Sequence, residues 1–111
     1  MTPNLNRKLV LEEAARVADG AGGFTETWVP LGEVWAEITA SSGREAAQSG
    51  VALSVQRYRI AVRAAPYGAP SRPRPDQRFR EGQRVFLILS VSDSFKSGAF
   101  LMCQAIEEEL V

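Results

Sequence analysis

The stretch "KLVLEEAARVADGAGGFTETWVP", residues 8–30, decides the fold class of this chain. Its first half, residues 8–18, is rich in Ala and Glu, which favours a helix, but its apolar residues alternate as in a strand. The pentapeptide "DGAGG" at 19–23 favours the strand, because Asp-Gly and Gly-Gly between two alternating runs are typical of a β-hairpin. We therefore expect two antiparallel strands, the second interrupted at Pro30. The alternating face of the first strand carries Leu9, Leu11, Ala15 and Val17 and is interrupted by Glu13.

The second strand continues through "LGEVWAEITA", residues 31–40, which alternates as a half-buried strand should. Trp35 falls on the face that this strand otherwise gives to polar residues. A large apolar side chain in that position raises the question of what covers it. The apolar face carries Val34, Ala36, Ile38 and Ala40, and the polar face carries Glu33, Glu37 and Thr39.

Further strands are predicted in the second half of the chain. "VQRYRIAVRA", residues 55–64, alternates cleanly, and residues 78–92 indicate a short strand, a tight turn and a stronger strand. The run Val85–Leu89 is apolar on both faces, which predicts that both sides are covered. "AFLMCQAIEEE", residues 99–109, closes the pattern. In the first of these strands we expect Tyr58, Ile60, Val62 and Ala64 inside and Arg57, Arg59, Ala61 and Arg63 outside.

Two long connections separate these strands. Residues 41–54, "SSGREAAQSGVALS", are longer than a hairpin needs, and Ser42 could cap a short helical turn through Arg44–Gln48. Residues 65–77 contain four prolines, which exclude a helix or a central strand and indicate a stiff, basic surface loop.

The sequence therefore predicts an all-β fold, in one domain over residues 1–111. Several short strands in so small a chain indicate a small closed or nearly closed six-stranded β-barrel or a small sandwich. We favour the barrel because closure removes exposed strand edges. Residues 41–54 would form one long inserted loop between the second and third long strands.

The charge of the chain is balanced overall but unevenly distributed. Thirteen basic and thirteen acidic residues give a net charge of zero, yet residues 1–43 carry −3, residues 44–84 carry +6 and residues 85–111 carry −3. Eleven of the basic residues are Arg, which favours bidentate contacts with carboxylates or phosphates. This separation favours contacts with charged partners or between copies of the chain.

Composition also excludes several classes. With 45% hydrophobic and 23% charged residues the chain is typical of an ordinary globular protein. No apolar run approaches the ~20 residues of a membrane span, and the first residues become acidic too early for a signal peptide. Cys103 cannot form an internal disulfide, so we expect a buried, reduced thiol in a cytosolic protein.

Catalysis is not expected. The chain has no His, so Cys103 lacks the partner that would make it a catalytic thiolate. Glu33 and Glu37 have a spacing that acid–base carboxylates could use, but alternating glutamates are ordinary on a solvated strand face. "GAGG" at 20–23 lacks the strand–turn–helix setting of a dinucleotide loop. We expect no cofactor and no metal.

The arginines allow two interpretations. Arg57, Arg59 and Arg63 either form a solvated face that pairs with Glu33 and Glu37, or present positive charge to DNA phosphates or to an acidic partner. Exposed pairs contribute only about 0.2–1 kcal/mol each. The same positive field would be extended by Arg72, Arg74 and Arg78.

Trp35 likewise has two explanations. Either the Pro-rich loop or the 41–54 insert folds over the ring, or a neighbouring subunit covers it. Burying a Trp removes roughly 150–250 Å² from water, which at about 25 cal/mol/Å² is roughly 4–6 kcal/mol as an upper bound. Aromatic residues with Arg are typical of interface hot spots. We favour an assembly surface.

The order of these segments resembles a known family, the small head–tail joining proteins of long-tailed phages, also called head-closure, head-completion or stopper proteins. Similar proteins occur in phage-derived gene transfer agents. The resemblance covers nearly the whole chain, although the Pro-rich loop is richer in Pro and Arg than is usual. It rests on "DGAGGFTETW" (19–28), "EVWAEI" (33–38), "SGREAAQSG" (42–50), "YRIAVR" (58–63), "PDQRFREGQRVFLILSV" (75–91) and "AFLMCQAIEEE" (99–109).

The resemblance implies a small β-barrel that forms a ring between the portal–adaptor complex and the tail. Such a ring retains packaged double-stranded DNA, without reading its sequence, and docks the tail terminator or tail tube protein. The protein would be cytoplasmic during assembly and then part of the particle neck, with no membrane partner. Alternatives are a small β-barrel that binds nucleic acid directly and a tail-terminator ring.

Three groups of residues would carry this role. The channel loop that contacts DNA would contain Ser42, Gly43, Arg44 and Gln48. The subunit or ring interface would contain Trp35, Glu33, Glu37, Arg57, Arg59 and Arg63. The loop that docks a partner would contain Arg72, Arg74 and Arg78.

Overall fold

In a computed structural model of the chain, residues 2–41, 56–93 and 98–108 are described, and they form an all-β structure without helices. Neighbouring strands are all antiparallel. They close into a barrel in the order β1-β2-β3-β6-β5-β4, which confirms the predicted fold class. The strands are β1 (Arg7–Ala18), β2 (Phe24–Ala40), β3 (Arg57–Arg63), β4 (Arg78–Glu81), β5 (Arg84–Ser92) and β6 (Phe100–Glu108).

The turn of the β1–β2 hairpin explains why residues 8–18 form a strand. Asp19 Oδ1 accepts hydrogen bonds from the backbone N–H groups of Ala21 (2.8 Å) and Gly23 (3.0 Å). Gly20 and Gly22 have φ values of 80° and 86°, which residues with a Cβ rarely adopt. The turn therefore outweighs the helical preference of the Ala- and Glu-rich segment before it, and the hairpin prediction is confirmed.

The sequence predicted that Pro30 would interrupt β2, but the strand is continuous through this residue. Leu11 lies opposite Gly32 and Glu12 lies opposite Pro30, so that β2 carries one extra residue, Leu31, at a β-bulge. A bulge is one of the few places in a sheet that accept a residue without an N–H donor. The strand therefore continues through the proline with a local shift of register.

The core is formed by the inward-facing residues of all six strands. Ile60 and Val62 are fully buried, as the alternation of β3 predicted, and Cys103 is a buried free thiol. Ala61 is buried as well, although it lies on the outer face. The main cluster contains Leu9, Leu11, Ala36, Ile60, Val62, Phe79, Phe86, Ile88, Leu101, Cys103 and Ala105.

The apolar run in β5 is covered on both sides at its start but not at its end. Val85, Phe86 and Ile88 are fully buried, whereas Leu89 is 40% exposed. Leu89 follows the inward-facing Ile88 and therefore lies on the outer face, at the point where the register with β6 shifts between Ile88 and Ser90. The prediction of cover on both faces is therefore wrong for Leu89.

The connections divide between the two ends of the barrel. The insert between β2 and β3 and the β4–β5 turn lie at one end, which we call the insert end. The β1–β2 hairpin and residues 65–77 lie at the opposite end. There β1 pairs with β4 only over Val10–Glu12, so residues 13–18 and 24–29 continue beyond the barrel as a two-stranded ribbon. We refer to residues 13–29 as the ribbon.

Glu12 joins the base of the ribbon to β4. Its side chain is almost completely buried, and Oε1 accepts a 2.7 Å hydrogen bond from Nε of Arg78. Nε of Arg80 lies 3.4 Å from the other oxygen. The guanidinium of Arg78 stacks over the ring of Trp28, 4.2 Å from its centroid. The carboxylate therefore holds two strands and the ribbon together at the point where the barrel closes.

Replacing Glu12 should destabilise the fold strongly, because it leaves the guanidinium of Arg78 buried and unpaired. We expect Glu12→Ala to lower the free energy of unfolding by about 3 kcal/mol. Glu13 is the matched control, since its pair with Arg74 is exposed; Glu13→Ala should cost about 0–1 kcal/mol. Urea unfolding of both variants measures the difference, and equal losses would contradict this role for Glu12.

Candidate functional site

Trp35 lies on the outer wall of the barrel and is 54% exposed. It is paired in register with Lys8 of β1, and the β2–β3 register brings it level with Arg63 on the other side. The Pro-rich loop leaves the indole more than half exposed, although Ser71 of this loop lines the same groove. The indole lines an open groove of about 600 Å³, which we call the Trp35 groove; its other lining residues are Leu5, Glu33, Val34, Arg63, Ala64, Ala65 and Ser71.

Within the described residues, the carboxylates beside Trp35 have partners other than the arginines of β3, unlike in the solvated-face interpretation. Glu33 lies 3.7 Å from Nζ of Lys8, and Glu37 accepts a 2.9 Å hydrogen bond from the backbone N–H of Asn4. The register explains this, because Glu37 lies opposite Ala61 and Arg59 lies opposite Thr39.

The three arginines of β3 share the outer face of the barrel. Arg59 and Arg63 are exposed and Arg57 is half-buried. The guanidinium of Arg63 lies 5.9 Å from the ring centroid of Phe100. The structure therefore brings Trp35 and Arg63 into one groove, with Arg59 further along the same strand.

The arginines of the Pro-rich loop and of β4 form a separate group with intrachain partners. Arg72 donates a 2.9 Å hydrogen bond to the carbonyl of Ala65 and stacks over Tyr67, 3.8 Å from its ring centroid. Arg74 pairs with Glu13, and the side chain of Arg78 is only 15% exposed. These contacts fix the loop and the ribbon, so partner docking through these arginines stays a prediction.

A second ionic cluster closes the barrel at the insert end. Nε of Arg84 donates a 2.8 Å hydrogen bond to Glu107, and one terminal amino group of Arg84 lies 3.2 Å from the hydroxyl of Tyr58. Tyr58 donates a 3.1 Å hydrogen bond to Glu107 and packs edge-on against Phe86. These residues lie 23 to 49 positions apart, so local sequence patterns gave no sign of the cluster.

The pKa shifts in this cluster follow from its contacts. The hydrogen bond from Arg84 holds the pKa of Glu107 below its ordinary value, and the same bond raises the pKa of Arg84. Burial raises the pKa of Tyr58, and the bond to Glu107 raises it further. At the same end, a hydrogen bond from Arg7 lowers the pKa of Glu81. Each charge has a partner, which is typical of a structural cluster.

The insert leaves the barrel beside this cluster. The backbone N–H of Ser41 donates a 3.0 Å hydrogen bond to the carbonyl of Arg57, and the side-chain amide of Gln56 donates to the carbonyl of Ser41 at 3.4 Å. The flanks of the insert therefore lie together. Its predicted channel residues, Ser42, Gly43, Arg44 and Gln48, lie outside the described residues.

The described parts of the chain offer no metal site. They contain no group of three or more Cys, Asp or Glu side chains arranged to hold an ion. Burial raises the pKa of the Cys103 thiol to about 12, so this thiol is a poor nucleophile.

A membrane-spanning helix is not found among the residues described.

Acid should weaken the fold through Glu107. Because its folded-state pKa is lowered, its contribution is present at neutral pH and is lost as pH falls from about 5 through the folded-state pKa. We expect Glu107→Gln to be less stable than the wild type at neutral pH and to show a smaller loss of stability on acidification. Thermal unfolding as a function of pH measures this. Parallel pH profiles for the two proteins would contradict it.

Comparison with known proteins agrees with the resemblance seen in the sequence. A family model described as phage head completion protein matches residues 1–109. A chain in the solved structure of the virion of a native gene transfer agent (GTA) particle is 56% identical in sequence, with a TM-score of 0.81. The match covers 99% of this chain and 100% of that chain. No match was found among curated proteins.

Proposed function

Because this chain belongs to the phage head completion protein family, we propose that it is a non-enzymatic structural subunit in the neck of a phage-like particle. In this role it forms a ring between the portal–adaptor complex of a DNA-filled head and the tail. The ring retains the packaged DNA and provides the surface on which the tail terminator or tail tube protein docks. The protein is made in the cytoplasm and ends in the neck.

The observation that carries this proposal is the match to a gene transfer agent virion chain. At 56% identity over 99% of this chain, the two share more than a fold. A barrel used for the same structural purpose in a similar particle is the simplest explanation of that likeness. It favours a particle component over the alternative of a free nucleic-acid-binding factor.

The arrangement of the barrel suits a component with a neighbour above and a neighbour below. The insert leaves from one end, and the ribbon and the Pro-rich loop lie at the other. We assign the insert end to the DNA channel, where Arg44 and the small residues around it would contact phosphates without reading sequence. The opposite end, with Arg72 and Arg74, is assigned to a docking partner.

Lateral contacts between subunits are assigned to the outer wall. The indole of Trp35 is more than half exposed beside the guanidinium of Arg63, a combination typical of interface hot spots. Because Trp35 is 54% exposed, covering the rest of the indole contributes roughly 2–3 kcal/mol, about half of the value for a whole side chain. An exposed ion pair on this wall contributes less free energy to association than the indole does. We therefore assign Trp35, rather than the charges around it, the main part of the contact energy.

Replacing Trp35 should abolish the ring without unfolding the subunit. We expect Trp35→Ala to keep the circular dichroism spectrum and thermal midpoint of the wild type and to weaken association at least tenfold. Leu89→Ala is the matched control, because Leu89 is also an exposed apolar side chain but lies away from the groove. Negative-stain images of each protein, alone and with a candidate adaptor, show whether rings form.

Two results would contradict the proposal. If the wild-type protein stays monomeric and binds none of the connector proteins, it is not a component of a ring. A monomer that binds DNA with steep salt dependence at micromolar concentration would favour the nucleic-acid-binding alternative.

A further inference from the structure

The tip of the ribbon is an exposed apolar surface without a partner in the described structure. We use "ribbon tip" for residues 17–25, the last strand residues and the turn that joins them. Phe24 is 63% exposed and Val17 is 52% exposed. The pairing of Ala18 with Phe24 and of Val17 with Thr25 places the two apolar side chains on opposite faces of the ribbon.

The ribbon tip projects where the barrel cannot support it. Both outer edges of residues 13–18 and 24–29 lie beyond the strand pairs that close the barrel. A two-stranded hairpin alone is marginally stable in water, and its free edges and apolar side chains favour contact with another surface. A covering partner would therefore stabilise the ribbon tip as well as bury its side chains.

The Trp35 groove is complementary in chemistry to the ribbon tip. The groove offers the indole with Leu5, Val34 and alanine side chains. Its charged lining residues Glu33 and Arg63, together with Lys8 directly beside the groove, which pairs with Glu33, sum to +1. At the ribbon tip and directly beside it, Arg16, Asp19 and Glu26 sum to −1. The guanidinium of Arg16 stacks on Phe24, 4.9 Å from the ring centroid. The ribbon tip therefore combines an aromatic ring with charged groups, as the groove does.

The two surfaces cannot meet within one molecule. Thr25 at the ribbon tip and Trp35 in the groove lie on the same strand, β2, ten residues apart. At about 3.3 Å per residue the distance between them is about 33 Å. The partner for each surface must therefore come from another molecule. Different patches that complement each other on identical subunits make a head-to-tail contact, which generates a ring when its rotation closes.

We infer that the ribbon tip of one subunit docks into the Trp35 groove of the next copy of this chain. Phe24 then lies against the indole and Glu26, on the same face of the ribbon, faces Arg63. Val17, on the opposite face, lies against the alanine side chains of the groove. This inference rests on the proposed ring and adds the contact that links its members. Each subunit then contributes a ribbon tip on one side and a groove on the other.

Site-directed cross-linking tests the contact. The wild-type thiol Cys103 is buried, so new cysteines react without competition from it. Val17→Cys and Ala65→Cys are made as separate proteins and mixed under mild oxidation. We expect a disulfide-linked dimer that contains one molecule of each variant. Dimers formed mainly between two Val17→Cys molecules would indicate a symmetric tip-to-tip contact and overturn the inference.

Charge reversal tests the proposed pairing of Glu26 with Arg63. We expect Arg63→Glu and Glu26→Arg each to weaken association about tenfold or more in sedimentation velocity. The double variant should recover to within about threefold of the wild type. Glu108→Lys is the control, since Glu108 lies at the insert end of β6, away from both surfaces, and should associate as the wild type does.

The outcomes separate this inference from the proposed function. Rings that persist unchanged in a Val17→Ser, Phe24→Ser double variant contradict the contact and leave the ring in place. Protection of the ribbon tip only by an adaptor or a tail protein, with no cross-link between copies, also contradicts the contact. Wild-type protein that never self-associates contradicts the ring and the contact together.

Discussion

Closure of the barrel between β1 and β4 is the constraint on which the rest of the structure depends. Only Val10, Leu11 and Glu12 pair with β4, and Glu12 fixes this short seam through Arg78 and Arg80. If the seam opened, the inner face would lose its enclosure, and the core side chains on all six strands would meet water. The same seam also sets where β1 leaves the barrel, and therefore where the ribbon begins.

Closure also explains how the two ends of the molecule come to differ. Since the strands are antiparallel, the insert and the β4–β5 turn emerge together at one end, and the ribbon and the Pro-rich loop emerge at the other. Ionic contacts lie at both ends, a partly exposed one between Glu107 and Arg84 and a buried one between Glu12 and Arg78. The wall between the ends, where Trp35 is exposed, is the surface that we propose for lateral contacts. A subunit of a stacked ring needs these three surfaces.

Much of this fold could be predicted from the sequence because its local signals agree. The turn at 19–23 overrode the helical composition before it. Alternation in β3 identified the buried Ile60 and Val62 but missed Ala61, which is buried on the outer face. Long-range features could not be predicted in this way. Glu12 and Arg78 lie 66 positions apart, and only the barrel register brings them together. The bulges at Leu31 and near Leu89 likewise depend on pairing with a partner strand, so Pro30 was wrongly expected to interrupt β2.

The central proposal is that protein covers the outer wall around Trp35 in the assembled particle. Oxidative footprinting of tryptophan in the free subunit and in purified particles measures this cover directly. Trp28 serves as the internal reference, because its stacking with Arg78 belongs to the subunit itself. We predict that Trp35 is oxidised readily in the free subunit and protected in the particle, while Trp28 changes little. Equal oxidation of Trp35 in both states would contradict the claim.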